Sequence, residues 1–312
     1  MMRWTAEHPE RLDSFLAARG AFLSRSKAQA AIEEGGVSVN GRPATKASLR
    51  VQAGDAVGVA EAAAPPGHSP IQPAQMALPV LHRDAACLVL DKPAGLAVHP
   101  GAGMDDDEKT ILHGVAALFA ARGLPFSPDS TLVHRLDRET TGCLLVAKSP
   151  EAHKALQSQF EARTVRKFYL AAVAGLPSPA AAVIDAPIGR SPHDRTRMSV
   201  MGASATRAAK TTYRTLAAAG DAALLECELH TGRTHQIRVH LLSIGHPILG
   251  DPTYATPHSA KVSSRHGIAD LCLHAWTLGF RSPDGGREIS LAAPLPHTLR
   301  ANLARLGLPE PG

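Results

Sequence analysis

The sequence predicts an α+β protein in two parts: a small N-terminal helix–helix–strand unit, and a larger body built on a mixed, mainly antiparallel sheet. Three observations carry this. Apolar runs of strand character recur from Cys87 to Leu291 without regular strand–helix alternation, which argues against a doubly wound parallel sheet. An Ala- and Pro-rich stretch over 61–78 interrupts all periodicity and reads as a linker. Ahead of it, two helical patterns precede short alternating segments. The expected division is 10–60, 61–78 and 79–312.

Composition narrows the function classes. The chain has 312 residues, 44% hydrophobic and 20% charged, which is globular and long enough for two domains. A formal net charge of +5 favours a polyanionic partner. Aromatics are only 4%, which argues against an extended base-stacking surface. Cys87, Cys143, Cys227 and Cys272 lie far apart in apolar runs, so buried thiols in a reducing compartment are expected, not disulfides or a zinc site. No apolar run approaches ~18 residues, and Met1-Met2-Arg3-Trp4-Thr5 has no apolar signal region. A cytoplasmic protein without membrane contact is expected.

In the first unit, Leu12, Phe15 and Leu16 fall at helical spacing before Gly20, and Ala28, Ala31 and Ile32 do so before Gly35-Gly36. Val37 and Val39 alternate with a polar residue, and Asn40-Gly41 and Gly54-Asp55 are turn signals. Arg11, Arg25, Lys27, Arg42 and Lys46 are spread over it. In the larger part, Cys87–Leu90 is a strand, followed by Asp91-Lys92-Pro93-Ala94-Gly95 and a Gly/Pro loop. Lys92, just after a strand, suits either a turn or a site wall. Thr110–Arg122 is a helix candidate. Ser149-Pro150-Glu151 opens another, with a cap, a proline at the first helical position and an acid in the first turn. Lys167–Val173 has period two, with Lys167 and Tyr169 on one face. Arg190, His193, Arg195 and Arg197 make a basic loop. Ala222–Leu229 alternates as a strand. Thr234 is placed to cap a helix bearing Ile237, Leu241 and Ile244, with Arg238 one residue off that stripe. Leu271–Ala275 and Ile289–Leu291 close the sheet.

The densest chemistry is Val133-His134-Arg135-Leu136-Asp137-Arg138-Glu139-Thr140-Thr141-Gly142. Asp137 stands among cations in a loop between apolar segments, where a scaffold presents reactive groups, and nearby positive charge favours a carboxylate. His230, His235 and His240 recur at five-residue spacing, which fits no H-E-x-x-H metal pattern. There is no G-x-S-x-G elbow, and Asp137 and Glu139 are too close in sequence to flank a sugar. What remains is one carboxylate, cationic partners and a phenol, which suits nucleophilic or electrostatic carboxylate chemistry on an anionic polymer.

Arg11-Leu12-Asp13, Leu23-Ser24-Arg25-Ser26, Gly36-Val37-Ser38-Val39-Asn40-Gly41 and Gly54-Asp55 closely resemble an S4-type RNA-binding domain. That resemblance implies an RNA-facing surface bearing Ser24, Arg25, Lys27 and Asn40. His134-Arg135-Leu136-Asp137 with Thr141-Gly142 resembles the catalytic motif of the RluA-type pseudouridine synthases. Asp91–Gly95, Lys167-Phe168-Tyr169, Thr231–His240 and Gly245–Pro252 match that family's other motifs in order.

The resemblance implies a pseudouridine synthase fold and an isomerase that converts uridine to pseudouridine without cofactor or metal. It implies Asp137 as the nucleophile, Arg238 as its ion-pair partner, and Tyr169 as the residue that stacks on the flipped base and takes its C5 proton. Arg135 is similar to the arginine that fills the stem the target nucleotide leaves. Lys92, Arg195, Arg197, Arg233 and His235 are expected to meet RNA. The chain is most similar to the synthase D subgroup, which implies ribosomal RNA of the large subunit (23S or its precursor) as substrate for a monomeric enzyme. Asp91 stands where Asn is more usual, Glu139 where Asp is, and Ala255 where Gly is. The competing readings are a non-catalytic S4-type ribosome-assembly factor and, against the ligand spacing, a metal-dependent nucleic-acid hydrolase.

Overall fold

A computed structural model of the chain describes residues 2–19, 21–22, 25–60, 71–101, 104–105, 107–194 and 196–311. The chain divides into two compact units, Met1–Pro70 and Ile71–Gly312.

The first unit is organised by helices Leu12–Ala18 and Arg25–Glu33, which bury Leu12, Phe15, Leu16, Ala28, Ala31 and Ile32 against Val37, Val51 and Val57. Its sheet runs in the order Met2–Thr5, Ala56–Val59, Val37–Val39, Arg42–Pro43. Asn40 and Gly41 both take positive φ, 51° and 78°, as a tight hairpin turn requires. The first strand carries no readable periodicity, and its place comes from pairing with Ala56–Val59.

The second unit is one nine-stranded sheet. From one edge it runs Ala181–Asp185, Lys210–Ala219, Ala222–Leu229, Arg166–Ala174, Leu273–Arg281, Thr141–Ala147, Cys87–Lys92, Val80–Arg83, while Glu288–Ala292 also pairs with Leu273–Arg281. All pairings are antiparallel except Leu273–Arg281 with Thr141–Ala147. The mixed, mainly antiparallel α+β sheet expected from sequence is therefore present. The central strands look uniformly apolar because both faces are covered. Leu88, Leu90, Leu144 and Val146 pack with helices Ile111–Ala120, Gln236–Ser243, Pro257–Arg265 and His297–Arg305. The alternate residues Cys87, Val89, Cys143 and Leu145 pack with helix Pro150–Glu161. Alternation of side chains along a strand distributes the two sets. All four cysteines are buried free thiols. The basic loop after Arg190 belongs to a separate three-stranded sheet, Met198–Ser199, Ile188–Arg190, Ser204–Arg207.

The one parallel junction sits directly behind the Asp137 loop. Gly142 has φ 104°, and a Cβ there would lie 2.2 Å from the Ala275 carbonyl oxygen. Only glycine tolerates both the backbone and the approach. Thr141 Oγ1 and His274 Nδ1 hydrogen-bond at 2.7 Å across the same junction. Gly142→Ala is therefore expected to cost roughly 2–4 kcal/mol of stability in chemical denaturation. An unchanged midpoint would mean the junction shifts freely.

Candidate active site

Asp137 lies in the loop between Leu132 and strand Thr141–Ala147, half-buried, and its carbonyl accepts from the Thr140 N–H at 3.1 Å. The loop is held from behind by Lys92, only 1% exposed. Its ammonium donates to the carbonyls of Pro93 (2.7 Å), Arg138 (2.7 Å) and Thr140 (2.9 Å). Burial pulls the Lys92 pKa down to about 8, opposed by Glu139 and Asp137. Expected to meet RNA, Lys92 is instead an internal fastener. Asn40 is exposed, and its side-chain amide donates to Asp55 Oδ1 at 2.7 Å and accepts from the Ala56 N–H at 2.8 Å, tying its turn to the Gly54-Asp55 turn. The side chains of Arg25 and Lys27, and all of Ser24 and Arg195, lie outside the described residues.

Arg238 reaches Asp137 from helix Gln236–Ser243: Nη1 to Asp137 Oδ2 is 3.3 Å. The expected pairing is there, but Asp251 is the closer partner. Arg238 Nε and Nη2 donate to Asp251 Oδ2 and Oδ1 at 2.8 and 2.7 Å, a bidentate fork. The Asp251 side chain is fully buried and also accepts from the N–H groups of Thr253 and Tyr254. Burial pushes its pKa up, but those hydrogen bonds and Arg238 more than offset this and hold it below the ordinary carboxylate range. Asp251 lies in Gly245–Pro252, a motif visible in sequence. Its role was not, because nothing local marks a partner thirteen residues away.

The pocket in front of Asp137 is lined by Arg135, Tyr169, Arg233, His235 and Arg238 among others. Tyr169 is buried. Burial first, and then the Asp137 charge, push its phenol well above its ordinary value. The ring is thus neutral in the empty pocket, which suits stacking and opposes spontaneous formation of the phenolate. Arg135 is exposed and lines all three cavities around Asp137. Among the described residues it forms no ion pair with Asp137. Arg138 instead pairs with Glu108.

The expected Thr234 cap is not used. Helix Gln236–Ser243 has His235 at its N-cap, in the left-handed region at φ 57°. The preceding loop is wrapped on Gln236, whose Oε1 accepts from Thr231 Oγ1 and Arg233 N–H. A non-glycine residue held at positive φ costs about 1–2 kcal/mol, and such strain gathers at functional sites. It aims His235 at Asp137. Tyr254 Oη accepts from Met198 N–H at 2.9 Å and shares a hydrogen bond with His235 Nδ1 at 2.8 Å. Burial lowers the His235 pKa, the neighbouring charges partly cancelling, which favours the neutral ring. The Arg197 guanidinium lies over Tyr254, 5.0 Å from its ring centre. Arg238 also lies 5.0 Å from that ring. Arg233 is tied by Nε to the Ala208 carbonyl.

Three further histidines, His134, His230 and His240, are held by internal hydrogen bonds. His134 Nε2 accepts from Leu145 N–H, and burial pushes its pKa down to about 3. His230 bonds Thr212, and His240 bonds Thr211 and the Ala186 carbonyl. Among the described residues the one cluster of metal-ligating type is His82, Asp84 and Cys87. Asp84 there accepts from two backbone N–H groups and Ser282, and burial pushes the Cys87 thiol up to about 12, so it reads as a locked turn.

The two partners of Arg238 should respond unequally to substitution. Asp251→Asn is expected to cost about 3–5 kcal/mol, because it leaves a buried guanidinium short of charge. Asp137→Asn should cost under half of that. For Asp251 the folded pKa is depressed, so its stability is present above the ordinary carboxylate value of 3.8 and is lost as pH falls below it. The acid limb of the stability curve should flatten in Asp251→Asn. Equal losses in the two variants by urea denaturation would contradict this ordering.

Residues 86–243 match the family model described as RNA pseudouridylate synthase, and residues 10–57 match the S4 domain. The chain is 41% identical over 295 residues to the ribosomal large subunit pseudouridine synthase D of Nitrosomonas europaea, covering 94% of this chain and 83% of that protein. It is 39% identical over 294 residues to an uncharacterized RNA pseudouridine synthase of Bacillus subtilis, covering 93% and 92%. Among solved structures, human RNA Pseudouridylate Synthase Domain Containing 4 superposes with a TM-score of 0.61 at 30% identity, covering 75% of this chain and 94% of that one. These matches, over a pocket where Asp137 meets a buried arginine and a buried phenol, lead to one conclusion: the chain belongs to the RNA pseudouridylate synthase family.

Proposed function

We propose that this enzyme isomerises specific uridines of large-subunit ribosomal RNA, with Asp137 as the reacting carboxylate. The observation that carries the reading is Asp137 at the mouth of a pocket, fixed by Arg238 and faced by Tyr169. A relative bearing a large-subunit name over most of both chains supports the choice of RNA. In the reaction the N1–C1′ bond breaks, the uracil turns, C5 bonds to C1′, and the C5 proton leaves as N1 gains one. Asp137 either attacks C1′ or takes the C2′ proton to give a glycal. Arg238 steers the carboxylate. Tyr169 presents a flat, neutral face to a flipped base, and flipping costs a few kcal/mol that such contacts offset in part.

Arg135, exposed and free of Asp137, suits the space the base vacates. His235, held by Tyr254 on the pocket wall, suits a polar group of the substrate. The S4 domain adds phosphate contacts that give affinity without reading sequence. Among the described residues no helix is long and apolar enough to cross a membrane. Action on ribosomal RNA would place the enzyme in the cytoplasm. A non-catalytic assembly factor would have no use for the Asp137–Arg238 geometry.

Asp137→Ala is expected to abolish tritium release from C5-labelled uridine in large-subunit rRNA while binding it within about threefold of wild type. Wild-type rates in the variant would remove Asp137 from the chemistry. Mapping pseudouridines in rRNA from cells lacking this protein should show sites lost from the large subunit, and an unchanged map would exclude that substrate. Deleting residues 1–60 should weaken rRNA binding and lower its salt dependence, with each lost phosphate contact removing about 0.7–0.9 from the slope. An unaltered slope would take the S4 domain out of binding.

A further inference from the structure

Beside the catalytic pocket lies a second cavity of about 400 Å³. The two share a wall formed by Arg135, Tyr169, Leu229, Gly232 and Arg233. The remaining lining includes Arg163 and Lys167. Lys167 lies two residues before Tyr169 on the same strand, and both side chains face this cavity.

The condition of Lys167 is unusual. Its ammonium lies 5.5 Å from the ring centre of Phe160. Phe160 in turn stacks on His134, which burial and the Lys167 charge keep neutral. Among the described residues Lys167 has no ion pair and no hydrogen bond to balance its charge. Burial lowers its pKa to about 8. The neighbours do not relieve it. Arg163 stands exposed at φ 58°. Arg233 has its own pKa lowered by burial and by Arg207 and Arg163. His230 also lines the cavity, and the one acid that does so, Glu161, is exposed. This arrangement is unfavourable, because a partly desolvated ammonium has no counter-charge beside it. Lys92 shows the contrast: an equally lowered lysine, but fully engaged by three carbonyls. A cation held without a partner beside a reaction pocket implies that the partner arrives with the substrate.

We propose that this second cavity is a backbone-phosphate subsite for the nucleotide next to the target uridine, with Lys167 as its central ammonium and Arg163 and Arg233 flanking it. The proposal rests on RNA being the substrate. Arg135 and Tyr169 stand between the two cavities, so a strand anchored at Lys167 delivers its neighbouring nucleotide across them to Asp137. Lys167 is a binding residue here, not a participant in bond making.

The test compares wild type with Lys167→Met and Lys167→Arg, using a 23S rRNA transcript as probe. Lys167→Met is expected to weaken binding about tenfold at 0.1 M salt and to lower the salt slope by about 0.7–0.9. It should raise KM more than it lowers kcat. Its Tm should equal or exceed that of wild type, since an unpaired cation has been removed. Lys167→Arg should keep most of the affinity. Wild-type affinity and slope in Lys167→Met would overturn the subsite. So would a Tm lower by several degrees with affinity retained in the folded fraction, because that marks a structural lysine. If wild-type enzyme forms no pseudouridine in the transcript, the functional reading fails, while the binding and slope comparison still decides the subsite.

Discussion

The buried fork between Arg238 and Asp251 is the interaction on which the site depends. A guanidinium 5% exposed cannot stand in a core without a carboxylate, and Asp251 supplies both oxygens from a fully buried position. That fixes the plane of Arg238 and leaves one N–H aimed at Asp137. Asp251 is fixed in turn by two backbone N–H groups of its own turn. Asp137 therefore receives a partner whose position it does not determine. It can remain half-exposed and available, because it is not the group that keeps the arginine buried.

The same division of labour recurs around the pocket. Lys92 spends its whole charge on three carbonyls behind the Asp137 loop. Gly142 lets that loop run straight into the only parallel pairing among the described strands of the large sheet. Gln236 gathers the loop that turns His235 into a left-handed conformation, and Tyr254 holds its ring through Nδ1. Polar groups that are saturated internally hold the frame. Those left unsatisfied, Arg135 and Lys167, face the cavities where an anionic substrate would lie.

Legibility followed burial and locality. Helix Pro150–Glu161 and strand Ala222–Leu229 were readable because capping residues and alternation are local signals. Strand Lys210–Ala219 was not, since its strand-favouring Thr211, Thr212, Tyr213 and Thr215 give no apolar alternation and its Ala-rich end is weak in strands. Pairing on both sides makes it a strand. Helix Pro257–Arg265 was missed because its one fully apolar anchor, Val262, gives no stripe to detect. Lys92 was read as RNA-facing because a loop lysine looks alike in sequence whether it points outward or inward.

The sequence by itself determined which residues could do chemistry: one carboxylate, one phenol and a small set of cations in a recognisable order, with a basic helical unit ahead of them. It also determined the mixed sheet, because alternation and turn residues act over a few positions. Only the tertiary structure decided which cations are spent and which are free. Arg238 is shared between two aspartates, Lys92 is consumed by carbonyls, and Lys167 is left unpaired, although all three are basic residues in matching motifs. The physical reason is that the role of a charge is set by the desolvation it suffers and the partners within about 4 Å. Those partners come from strands and loops as much as a hundred residues away.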